Sequence, residues 1–224
     1  GIRDYKVTGV QTCALPISRQ AQAAAAGTLG RLRLAFVSSI AYGPLPGWLG
    51  SFREAHAGVA LELREATLDV QLEAFESGEI DAGFVLHAAG EAPPGLTAWR
   101  AQREPLVMAL PDSHPLAAMR SLPFARVAVE PLVIFPRAIA PSLFDAIVGH
   151  YRRHGAAPRI AQEAIQMQTI VNLVSGGIGV AWVPASLMLL QRPGVVYRPL
   201  AGAPLECETS LVWKEPEQIG RAHV

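Results

Sequence analysis

The sequence predicts an α/β protein built as two similar lobes that the chain crosses twice. Three observations predict it: strand-like and helix-like stretches alternate along the body of the chain, the alternation restarts after about residue 100, and one long extended segment, 96–111, stands between the two runs. Such alternation implies right-handed crossovers and a mainly parallel sheet. With 224 residues, 50% of them apolar and 17% charged, the chain can bury a substantial core and is not a disordered polymer. Its 19 basic and 19 acidic residues cancel, which excludes the strongly basic surface of a stand-alone nucleic-acid binder. No apolar run approaches the ~18–20 residues of a membrane span. Cys13 and Cys207 alone cannot form a disulfide framework, and they lack metal-ligand spacing.

In the first run, RLRLAFV (31–37) alternates as a strand. Leu45, Trp48, Leu49 and Phe52 then recur at i, i+3, i+4, i+7, one face of a helix. VALELRE (59–65) is a second strand. Thr67 is placed to cap a helix with Leu68, Leu72 and Phe75 inward and Gly78 as its stop. IDAGFVL (80–86) is a buried third strand, and 87–97, with Pro93 and Pro94, a surface loop.

The second run opens with VAVEPLVIF (127–135) as a strand. A helix over 142–154 carries Leu143, Ile147 and Tyr151 on one face. RIAQEA (159–164) is a strand, 166–177 a helix with Met167, Ile170, Val171 and Val174 inward, and IGVAWVP (178–184) another strand. A short helix at 185–191 and closing strands VVYRPL (195–200) and LECETSLVWK (205–214) complete it. The crossings fall near 100–104 and near 197–200.

Both ends read differently from the body. RDYKVTGVQTCALPIS and QIGRAHV resemble the translation of short sequencing-adaptor DNA, so residues 1–18 and 218–224 are expected to carry no biology. RQAQAAAAG (19–27) reads as the last turns of a helix with a glycine stop. On this reading native residues have been lost at each end.

No catalytic motif stands out. There is no G-x-S-x-G elbow, no G-x-x-x-x-G-K-[ST] loop and no H-E-x-x-H. SGGIG (175–179) lies between a helix and a strand, the wrong order for a dinucleotide fingerprint. His150 and His154, at i, i+4 in HYRRH, read as a solvated basic face rather than a metal site. Neither enzyme activity nor a cofactor nor a metal is expected.

Ligand binding has more behind it. In parallel α/β sheets, ligands sit outside the C-terminal strand ends, where unpaired helix N-terminal amides suit an anion. Four such junctions carry polar groups: Ser38–Ser39, Thr67, Pro136–Arg137 and Gln166–Met167. If two lobes face each other, these ends converge on one cleft. Each residue alone also reads as a plain helix cap, and Arg137, the one cation, as a surface arginine or an interlobe ion pair.

These residues carry a family resemblance. The stretch from VSSIAYGPLPGWLG through EATLDVQLEAFESGEIDAGFV resembles the start of the effector-binding domain of LysR-type transcriptional regulators, and EPLVMALPDSHPLA, FPR and IQMQTIVNLVSGGIGVAWVP resemble its second lobe. The resemblance covers about 28–214 and is nearest to the branch that senses aromatic-catabolism intermediates. It implies two Rossmann-like lobes of the type II periplasmic-binding-protein kind, joined by two crossover strands, with lobe I from 28–101 and 200–217 and lobe II from 102–199. Matched motif by motif, the effector contacts it implies are Ser38, Ser39, Ile40, Thr67 in E-A-T-x-x-x-Q, Phe84 on the floor, Phe135, Pro136, Arg137, Gln166 and Met167. It further implies a small carboxylate effector, a homodimer or homotetramer, a cytoplasmic location without membrane contact, and DNA binding only through an N-terminal domain not contained here, 19–27 being the remnant of its linker helix. A periplasmic solute-binding protein of a transporter shares the fold and is the second reading; a signal peptide upstream, in place of a helix-turn-helix, would distinguish it.

Overall fold

Seven residues, Gly30–Phe36, open the sheet as β1, with Leu32 and Leu34 buried and Arg31 and Arg33 turned outward. This is a computed structural model, and it describes residues 30–215. The adaptor-like stretches 1–18 and 218–224 and the helical remnant 19–27 lie outside the described residues.

β1 pairs in parallel with β2 (Val59–Glu65) on one side and β3 (Ala82–Ala88) on the other. Helices α1 (Leu45–Ala55) and α2 (Leu68–Glu76) make the crossovers and cover opposite faces of this sheet. On one face Leu34, Leu45, Phe52 and Phe84 pack together; on the other Ala35, Leu68, Phe75 and Val85 do. The face of α2 differs from the expected one. Leu72 is 38% exposed, and Gln71 takes the inward position with no exposure.

β4 (Thr97–Pro111) is the crossing strand. Its first part pairs antiparallel with β9 (Glu206–Trp213), which also pairs antiparallel with β3. Its last part pairs antiparallel with β7 (Ala181–Pro184) and β8 (Val195–Arg198). One long strand therefore belongs to both lobes, and the sheet runs β2-β1-β3-β9-β4-β7 with β8 beside β4. The sheet is mixed rather than mainly parallel, because β4 and β9 both run against their neighbours.

In the second lobe, β5 (Pro131–Ile134) pairs in parallel with β6 (Arg159–Glu163). The strand expected over 127–135 is shorter than that, since Phe124–Val127 forms a single helical turn, α3. Helices α4 (Pro141–Arg153) and α5 (Met167–Ser175) bury the faces the periodicity predicts: Leu143, Ile147 and Tyr151, and Met167, Ile170, Val171 and Val174. With Leu132, Val180 and Trp182 they form the largest core cluster.

His150 corrects the reading of HYRRH as a wholly solvated face. Its ring stands edge-on to Phe124 with centroids 4.5 Å apart and lies 5.5 Å from Trp182. Burial, helped by His154 and Arg153, holds its imidazole below the ordinary range. Protonation thus favours the unfolded chain, so stability falls as pH drops through the ordinary imidazole range near ~6.5. Between about pH 7.5 and 5.5, the wild type is expected to lose a few tenths of a kcal/mol relative to His150→Gln. The effect is small because solvent screens a half-buried ring. Urea denaturation at both pH values checks this, and a pH-independent difference overturns it.

Candidate functional site

Four strand ends deliver the site. β1 ends at Phe36, and after the extended Val37 the chain turns into the 3-10 segment Ser38–Tyr42. β2 ends at Glu65, and Thr67 stands at the N-cap of α2. β5 ends at Ile134, leading through Phe135 and Pro136 into the 3-10 turn Arg137–Ile139 and then α4. β6 ends at Glu163, with Gln166 at the N-cap of α5. The C-terminal ends of β1 and β2 share one edge of their sheet, those of β5 and β6 share one edge of theirs, and the two edges face each other.

They meet at a cleft of about 410 Å³, counting its open mouth. Of the ten residues predicted from the sequence, six line it: Ser38, Ser39 and Thr67 from the first lobe, and Phe135, Gln166 and Met167 from the second. No side chain caps the 3-10 segment at Ser38, α2, α4 or α5 by a hydrogen bond. The cap side chain therefore leaves the first N–H groups of α2 open to another acceptor; α4 begins at Pro141, which has no N–H, and the first N–H of α5, that of Met167, is met only from across the cleft. Thr67 sits at the cap position, but its hydroxyl donates to the Asp69 carboxylate instead. Ser39 is 4% exposed and makes no side-chain hydrogen bond among the described residues.

The lobes already touch across the cleft. The Met167 N–H donates to Ser38 Oγ at 3.5 Å, and the Tyr42 hydroxyl donates to Gln168 Oε1. Behind them the Ala88 N–H donates to Ser142 Oγ at 3.2 Å, and that hydroxyl donates to the Glu91 carbonyl at 3.3 Å. On the crossing strand, Glu104 accepts from the Ser186 N–H at 2.6 Å and from its hydroxyl at 3.0 Å. Burial pushes the Glu104 carboxyl above the usual carboxylate range, and the two Ser186 bonds work against that rise. Glu104 so fixes the start of the 3-10 segment Ala185–Leu190, whose Ser186 lies against Gly43 at the end of the Ser38–Tyr42 segment.

Four predicted residues do not line the cleft. Ile40 is 3% exposed and packs in the first-lobe core with Leu34 and Leu45. Phe84 is fully buried and stacks on Trp48 with centroids 5.4 Å apart. It lies too far down β3; Leu86, two residues nearer the strand's C-terminal end, lines the cleft instead. Pro136 stands at the N-cap of a 3-10 turn, between Phe135 and Ile139, which do line it. Arg137 points into solvent, its guanidinium held by Asp145 through bonds of 2.8 and 2.6 Å. That pairing holds the Asp145 carboxyl below its usual range.

Sequence reasoning missed the apolar wall: Val37, Leu86, Ile139, Ala140 and Ile165. Each lies within three residues of a predicted one, so the signal was adjacency. It also gave no role to Gln71. This buried side chain donates to the Ala66 carbonyl at 2.8 Å and to the Phe84 carbonyl at 3.1 Å, directly behind the cleft. Among the described residues no group of three or more His, Cys, Asp or Glu side chains could hold a metal, and no helix is long and apolar enough to cross a membrane.

The family model of the LysR substrate binding domain matches residues 25–223. Among curated proteins, the chain is 43% identical over 192 residues to the HTH-type transcriptional regulator IlvR of Caulobacter vibrioides, covering 85% of this chain and 64% of that one. It is 33% identical over 199 residues to the HTH-type transcriptional regulator AlsR of Bacillus subtilis, covering 87% and 64%. The chain thus spans a little under two thirds of the length of these relatives. Among solved structures, the BenM effector binding domain with its effector benzoate matches with a TM-score of 0.71 and 27% identity over 86% of each chain. Full-length CbnR complexed with its target DNA matches with a TM-score of 0.72 and 25% identity, covering 93% of this chain and 73% of that one.

Proposed function

Because the chain belongs to the LysR substrate binding domain family, we propose that it senses a small carboxylate between its two lobes and passes that binding on to a DNA-binding segment of the longer protein. The observation that carries this reading is the cleft itself. Ser38, Ser39 and Thr67 from one lobe face Phe135, Gln166 and Met167 from the other, at helix starts that their own N-cap side chains, Thr67 and Gln166, leave uncapped. An anion there is held by hydroxyls and backbone N–H groups, the arrangement that helix N-termini favour. The related BenM domain binds benzoate, an acid of fitting kind.

Binding works by population shift. A ligand that touches both lobes favours the lobe arrangement in which both sets of contacts are made. It moves the equilibrium only by its differential affinity, of order 1–3 kcal/mol. The direct Ser38–Met167 and Tyr42–Gln168 bonds hold the lobes near one another before any ligand arrives. A ligand carboxylate competes with the first of these for the Met167 amide. Homologous full-length regulators join such a domain to DNA, and a homodimer or homotetramer would carry the change in lobe arrangement to paired DNA-binding heads.

Ser39→Ala and Thr67→Val test the site. Each removes one hydroxyl at the cleft wall: Ser39→Ala is expected to weaken binding of benzoate, used as the probe acid, about tenfold, as the loss of one hydrogen bond to a charged group does, and Thr67→Val by less, since its hydroxyl must leave Asp69 to meet the acid. Unfolding free energies should stay within about 1 kcal/mol of wild type. Isothermal calorimetry with urea denaturation reads both; unchanged affinity in both variants overturns the assignment.

A further inference from the structure

We propose, resting on the reading of the cleft as an effector site, that its ligand class is the monocarboxylates with an apolar body, and that acids carrying a second charge are rejected. The cleft is lined by eleven residues, and none of them is charged. Four carry neutral polar side chains: Ser38, Ser39, Thr67 and Gln166. The others are apolar, with Leu86, Phe135, Ile139, Ile165 and Met167 forming most of the wall. Arg137, the one cation at the four junctions, is turned outward, its Nε and Nη2 donating to Asp145.

One anionic end can be met here. Ser39, 4% exposed as a residue, makes no side-chain hydrogen bond among the described residues. The Gln166 side-chain amide makes no hydrogen bond among them either, and the Met167 N–H at the start of α5 is held only by Ser38 Oγ at 3.5 Å. These donors sit together at the strand ends. A second carboxylate would lie against the apolar wall or at the rim beside Ile165, with no cation lining either place, which disfavours it. An α-ammonium group fares no better, since no carboxylate lines the cleft. The apolar body, in contrast, gains from every methylene it buries against Leu86, Phe135 and Ile139.

The experiment pairs acids of equal length in calorimetry on the 224-residue chain: hexanoate against adipate, benzoate against terephthalate, and hexanamide as the uncharged partner. The expected result is that a monoanion of at least one pair binds at least about tenfold more tightly than its dianion, a ratio set by the unpaired charge, and that hexanamide does not match hexanoate. Dianions binding as well as their monoanionic partners would overturn this inference while the cleft remained the binding site. Hexanamide equal to hexanoate would overturn the anionic half of it. Failure of all four acids would overturn the reading of the cleft itself. Ile165→Arg, at the 57% exposed rim, provides a second arm: it should raise adipate relative to hexanoate, and an unchanged preference counts against selection by missing charge.

Discussion

Replacing Gly179 with alanine is expected to destabilise the second lobe by about 3 kcal/mol or more, as overpacking against immovable backbone does. A Cβ at this position would overlap the Pro131 carbonyl oxygen and lie 2.9 Å from its carbon. The obstacle is backbone, and it is fixed by two hydrogen bonds: the Val180 N–H donates to the Pro131 carbonyl at 2.8 Å, and the Val133 N–H donates to the Val180 carbonyl at 2.8 Å. Moving β5 away breaks both and uncouples Leu132 from Val180, each at most 1% exposed in the core. Gly177 supplies the control. Its φ of +77° favours glycine, but its Cβ would meet nothing within 4 Å. Gly177→Ala should therefore lose only about 1 kcal/mol of backbone preference. Urea denaturation of the two variants decides, and a Gly179→Ala loss no larger than that of Gly177→Ala sinks the argument.

The crowding at Gly179 belongs to the part of the fold that a sequence does not display. The helix faces of the second lobe were legible, whereas on α2 Gln71 holds the inward place expected of Leu72. Leu143, Ile147 and Tyr151 on α4, and Met167, Ile170, Val171 and Val174 on α5, are all buried, because a period near 3.6 with no competing polar group leaves one solution. Strand direction was not legible. β4 and β9 run against their neighbours because the chain crosses between lobes and returns, and periodicity within a strand carries no information about which way its neighbour runs. The 127–135 strand was overread because Val127, Val129 and Val133 look alike in apolar character. Pro131, which lacks an N–H, begins the strand, and Val127 closes a helical turn before it.

The candidate site divides along a similar line. Residues at strand-to-helix junctions were found because the chemistry of a helix start is local: Ser38, Ser39, Thr67, Gln166 and Met167 are all at such starts and all line the cleft. Phe84 and Arg137 depend on what lies opposite them. Every residue of β3 is buried, so no alternation marks how far along the strand the cleft begins. Arg137 is claimed by Asp145, eight residues on, and that spacing announces no contact before the turn between them is known.

Gln71 and Gly83 are expected to be strongly coupled, and their coupling bears on the site. Gln71 joins three segments that deliver cleft residues. Its amide donates to the Ala66 carbonyl just before Thr67 and to the Phe84 carbonyl on β3, and the same Phe84 carbonyl accepts from the Val37 N–H at 3.2 Å. Gly83 makes room for this: a Cβ there would overlap Gln71 Oε1 and lie 3.2 Å from Cδ. Gln71→Ala strips the Ala66 carbonyl of this donor and opens a cavity, and should destabilise by about 2–4 kcal/mol. Gly83→Ala should destabilise comparably, since the amide must withdraw from both carbonyls. The double variant should lose less than the sum by about 1–3 kcal/mol, because the Gly83→Ala methyl then occupies space that the Gln71 amide has left. Additivity within about 0.5 kcal/mol in urea denaturation would show that the two do not share that space. Gln71→Ala should also weaken benzoate binding at temperatures where the variant remains folded, because the bonds it loses are those that set Val37, Thr67 and Leu86 around one cleft. A stability loss with unaltered affinity would instead assign Gln71 to the core of the first lobe alone.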